Sequence, residues 1–192
     1  MVHRQNPQRP IHILSHSLGV EVALEALFHV APGTVDRIIS MTGATYQSRL
    51  SAALTSPSGQ QAEFINITSR ENDIFDFLYE RMMAPLVPGD QVIGHGVGLR
   101  NALTLQLDCP KTLQHIARLG PAIAPPQRRI CHWSAYMRPG TMDFYQDLLR
   151  NREQLTLGRL RCGLPQAPAP RWSRLFARPT VARPLFLSQK PS

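Results

Sequence analysis

Ser17, Asp73 and His132 are the side chains whose types and order along the chain suit acyl transfer. A serine hydroxyl is a weak nucleophile until a base takes its proton. The base in turn needs an acceptor on its other ring nitrogen to fix its tautomer. Serine, acid, histidine is one of the chain orders in which such triads occur. Glu71 and Asp76 compete with Asp73 for the place of the acid. His95, in the flexible stretch Gly94-His95-Gly96, competes with His132 for the place of the base, because loops do carry catalytic groups. His16 reads as part of a turn. The other histidines (His3, His12, His29, His115) and the three cysteines (Cys109, Cys131, Cys162) show no metal-ligand spacing, so neither metal nor cofactor is expected.

The setting of Ser17 is the most informative part of the chain. Ile11-His12-Ile13-Leu14 reads as a short buried strand. From Gly19 the period changes: Val20, Ala23, Leu24, Leu27 and Phe28 fall on one helical stripe, which Ala31-Pro32-Gly33 ends. Ser17 therefore sits in a sharp strand-to-helix turn, Ser15-His16-Ser17-Leu18-Gly19, with small residues two positions to either side. Such a turn exposes the hydroxyl and aims N–H groups at the helix start toward developing negative charge; the Leu18 N–H is the natural oxyanion donor. An ordinary helix N-cap would also account for a serine here.

The elements that must carry these residues follow from periodicity. Strands are expected over 35–41, 64–68, 102–107 and 128–131, and helices over 74–83, 110–119 and 141–150. Residues 44–60 read as helix and loop, and 85–100 as a Gly/Pro-rich loop. Strands alternating with helices predict an α/β fold with a mainly parallel sheet, whose ligands bind beyond the carboxyl ends of the strands. Ser17, Asp73 and His132 each follow an expected strand, on one rim. Asp76 is placed on a helix, facing solvent. Trp133, Tyr136 and Phe144 suit either a pocket lining or plain core.

With these placements the chain resembles the C-terminal half of the α/β-hydrolases over roughly residues 8–150. SHSLG matches the family's elbow Gly-His-Ser-Leu-Gly in four of five positions, with Ser15 replacing the first glycine. The resemblance implies a partial α/β-hydrolase domain over 1–153, lacking the N-terminal strands and the loop that supplies a second oxyanion N–H. It implies ester or related acyl hydrolysis through an acyl-enzyme, with Ser17 as nucleophile, Asp73 as acid and His132, or alternatively His95, as base. The elbow strand becomes a sheet edge, to be completed by a longer chain or by a second copy. The alternative is a non-catalytic, hydrolase-derived interaction module whose basic tail does the binding.

Composition bounds the rest. Of the net charge of +8, seven basic residues lie in 154–192, which holds no acidic residue and six of the 17 prolines; residues 1–153 are left near +1. The basicity belongs to a Pro/Arg-rich tail, so a specific nucleic-acid partner is not expected. A hydrophobic content of 43% suits a globular domain, and no apolar run is long enough to be read as a transmembrane span. MVHRQNPQRP has no apolar signal-peptide core, and with an odd number of cysteines the chain reads as cytoplasmic.

Overall fold

The structure is a computed structural model. It describes residue 6, residues 9–166 and residue 169, and the aromatic and basic run from residue 170 onward lies outside the described residues. Strands β1 (Ile11–His16), β2 (Val35–Met41), β3 (Glu63–Thr68) and β4 (Ala102–Gln106) form one sheet in the order β1-β2-β3-β4. Every pairing is parallel. Helices α1 (Gly19–His29), α2 (Gln47–Thr55) and α3 (Asp73–Met82) lie in the connections between strands. After β4 come α4 (Pro110–Leu119), α5 (Ser134–Met137), α6 (Thr141–Arg150) and α7 (Leu157–Cys162). This is the expected α/β architecture, a parallel sheet flanked by helices.

The period of two along the strands divides the core between the two faces of the sheet. Ile38, Phe64 and Ala102 pack with Val20, Leu24 and Leu27 of α1 and with Leu50 and Leu54 of α2. The alternate residues Ile39, Ile65, Ile67, Leu103 and Leu105 pack with Ile116 of α4, Phe144 and Leu148 of α6 and Leu160 of α7. Burying each such side chain contributes about 1.5–3 kcal/mol, which holds the register. Leu155 and Leu157 join the second cluster too, so the core continues past the boundary at 153 drawn from composition.

Helix α3 is built the other way round. Its acidic residues Asp73 and Asp76 are buried, while Ile74, Phe77, Leu78 and Met82 are exposed. Asp76 is only 4% exposed, so the expected solvent-facing placement is corrected.

The short strand expected over 128–131 does not form. Gln127 to Ile130 are exposed, so no buried face rewards pairing with a neighbouring strand. A hydrogen bond from Cys131 N–H to the Glu71 carbonyl (2.9 Å) ties the segment to the turn after β3. His132 is thus delivered to the rim by a loop.

Candidate active site

Matched register aligns the carboxyl ends of the strands. His16, Met41, Ile67 and Leu105 are successive partners across the sheet. The ladder continues one step beyond the strands: Ser17 N–H donates to the Met41 carbonyl (3.1 Å), and Thr42 N–H to that of Ile67 (2.9 Å). Ser17 and Thr42 stand side by side on this rim. They are also the non-glycine residues with positive φ among the described residues, at 52° and 45°. Such a conformation costs a non-glycine residue of order 1–3 kcal/mol, most of all a β-branched one, and persists only where the surroundings enforce it.

The elbow has the strand-turn-helix form expected for Ser17. Ser17 closes β1 through its N–H, and its carbonyl accepts from Val20 (3.2 Å) at the start of α1 and from Ala44 (3.1 Å) in the loop after β2. A Cβ added at Gly19 would stand 3.9 Å from the Ser15 Cβ, an ordinary van der Waals distance, so the two small residues flanking Ser17 face one another across the turn. The serine at 15 is accommodated with its hydroxyl directed to the Ile39 carbonyl at 3.5 Å. Val20 and Glu21 N–H groups bond the Ser17 and Leu18 carbonyls, and Leu18 itself is 59% exposed at the helix start.

His132 meets this elbow. Its ring lies 4.5 Å, centroid to centroid, from that of His16, the residue before Ser17. Its backbone carbonyl accepts from His16 Nε2–H (3.2 Å) and Thr42 Oγ1–H (3.3 Å). Phe75 of α3 covers the imidazole at 4.7 Å. Burial, and then the nearby His16, hold its pKa below the ordinary imidazole value. The neutral, base-competent form is thereby favoured.

The His132 Nδ1–H donates to the Asn72 Oδ1 at 2.6 Å. Asn72 ends the turn Arg70–Asn72, which the Ser69 side chain caps by accepting from Glu71 N–H. The other end of the Asn72 amide, Nδ2–H, donates to Asp76 Oδ1 at 2.9 Å. Asp73 is buried as the first residue of α3, and Glu71 is buried against the Ser69 hydroxyl (3.2 Å). His95 lies on the turn Ile93–His95, with Nε2 3.5 Å from Glu80 Oε1, and lines a cavity with Gln47, Thr104 and Arg161. Of the expected aromatics, Phe144 is core, Tyr136 sets its ring edge-on to His16 at 5.0 Å, and Trp133 is half exposed.

Sequence reasoning overlooked Asn72, because an amide does not announce itself as the partner of a base. The available signal was the spacing Asn72 to Asp76, one helical turn apart. No group of three or more histidine, cysteine or acidic residues able to hold a metal occurs among the described residues. No helix among them is long and apolar enough to cross a membrane. Comparison with protein-family models, curated proteins and solved structures finds no match.

Proposed function

We propose that the chain is a serine hydrolase acting on an ester or related acyl substrate through an acyl-enzyme. The observation that carries this reading is Ser17, strained at positive φ between strand and helix, directly after His16, whose ring lies against that of His132, a histidine with its Nδ1 held by an acceptor. In the proposed cycle the Ser17 Oγ attacks the acyl carbonyl while His132 Nε2 takes its proton. The Leu18 N–H at the start of α1 stabilises the oxyanion. Collapse of the tetrahedral species expels the alkoxide, which takes the proton back from His132. Water, activated by the same nitrogen, then releases the acid from Ser17. Exposed Leu18 and Trp133 adjoin the two reacting residues in sequence, which favours an apolar acyl or alcohol group.

Turnover of a short-chain p-nitrophenyl ester series tests this. The full chain is expected to hydrolyse the esters, and Ser17→Ala to lose at least about 10³ in kcat. Equal turnover in both would overturn the reading.

The exposed stripe of α3, Ile74, Phe77, Leu78 and Met82, supports the alternative of a non-catalytic interaction module, since apolar patches of this kind mark contact surfaces. Under that alternative no ester is turned over.

A further inference from the structure

We infer that Asn72 and Asp76 together form a relay that sets the tautomer of His132, a buried carboxylate acting on the imidazole through an intervening amide. The inference rests on the reading of His132 as general base and names its positioning residues.

The argument is one of donors and acceptors. An asparagine amide has a donating end and an accepting end. Asp76, when ionised, can only accept, so the Asn72 Nδ2 must face it, as it does at 2.9 Å. The Oδ1 is then left to face His132, at 2.6 Å from Nδ1. Two acceptors cannot share that hydrogen bond, so Nδ1 must carry the hydrogen. A neutral imidazole has only one N–H, which leaves the lone pair on Nε2, where a general base needs it. Turning the amide over would set Oδ1 against the carboxylate, and with Asn72 and Asp76 2% and 4% exposed, solvent could not relieve that clash.

Local geometry supplies the relay. Asn72 immediately precedes α3 and Asp76 lies one turn into it, so the two share a face of the helix start. Their hydrogen bond accounts for the burial of Asp76 on α3.

The relay differs from a carboxylate placed directly on the imidazole. The amide fixes orientation but brings no charge into contact with the ring. His16 from β1 and Phe75 from α3 set their rings against it, with Trp133 6.1 Å away on its own loop and Asp76 behind Asn72. Burial and the neighbouring His16 hold the pKa of His132 below the ordinary imidazole value.

The charge can be moved by one position without changing shape or net charge, in the double variant Asn72→Asp, Asp76→Asn. Full-length chain carrying 15N-labelled histidine is titrated by NMR, with His132 assigned by the signal lost in His132→Gln. The wild type is expected to show the neutral Nδ1–H tautomer. Asp76→Asn alone removes the fixed acceptor and is expected to give a mixture of tautomers. The double variant is expected to keep Nδ1–H and to raise the His132 titration midpoint by about one pH unit, since an adjacent carboxylate favours the charged ring. The acidic limb of ester turnover should move with it. An Nε2–H tautomer in the wild type, or a tautomer and midpoint unaltered by both changes, would overturn the relay. The wild-type tautomer reports even where a variant fails to fold. Absent ester turnover combined with the expected NMR pattern would refute hydrolysis at Ser17 while establishing the relay.

Discussion

The two ends of the sheet hold buried polar clusters of opposite character. At the amino end, Arg37 is fully buried on β2 opposite Glu63 of β3. Its guanidinium donates to the Glu63 carboxylate and to the carbonyls of Leu148 and Leu155, tying the connection between α6 and α7 to the sheet. Arg152 adds a bridge to Asp36 at 2.6 Å. Charge is matched there, and each nitrogen of the Arg37 guanidinium has an acceptor. At the carboxyl end, two residues are held at positive φ, and an imidazole is oriented by a neutral amide. The first arrangement suits architecture. The second suits chemistry, because backbone strain persists only where packing imposes it.

This contrast can be broken by experiment. The largest effect expected is on turnover, where Ser17→Ala is to abolish ester hydrolysis and leave the urea midpoint close to wild type. Next comes Arg37→Met, which leaves Glu63 only the longer bridge to Arg152 at 3.7 Å and two buried carbonyls without their donor. It is expected to cost about 3–5 kcal/mol in urea unfolding while the folded fraction keeps its turnover. A cost under about 1 kcal/mol would remove the architectural half of the contrast. Smaller still, Ser17→Gly relieves the positive φ and is expected to stabilise the fold by about 1 kcal/mol in the same assay. A destabilised Ser17→Gly would mean that the elbow is not strained.

The smallest effect is that of pH. His12, at the amino end, is held below the ordinary imidazole value by burial, with Asp36 opposing and Arg37 and Arg152 adding to the shift. His132 is lowered by burial and by His16. For both, the unfolded chain binds protons more readily than the folded one. The stability they support is therefore complete above about pH 6.5 and is lost as pH falls through the lowered folded values. His132→Gln should flatten part of that decline between pH 7.5 and 5.5 in urea titrations. An unchanged slope would place the decline elsewhere.

Much of the scaffold was legible in the chain. β2 and α6 have the bounds expected from their apolar spacing, since burial on a sheet face or a helical stripe is written directly into the residues. The turn at Ser17 was legible for the same reason, as the period switches there from two to 3.6. The segment 128–131 was misread because Ile130 and Cys131 are apolar, and local pattern cannot show that no partner strand accepts them. The partner of His132 was hidden by geometry of another kind. Asn72 and Asp73 are adjacent, and only the phase of the turn leading into α3 decides which side chain meets an imidazole 60 residues away. Leu155, Leu157 and Leu160 were masked by the prolines and arginines around them.

The central claim is that Ser17 is an activated nucleophile, and covalent labelling tests it most directly. The full chain is incubated with a fluorophosphonate, weighed intact and mapped by peptide mass. A single adduct on the peptide carrying Ser17, absent from Ser17→Ala, is the predicted result. A folded chain that takes up no probe, or takes it up at another residue and equally in Ser17→Ala, would contradict it.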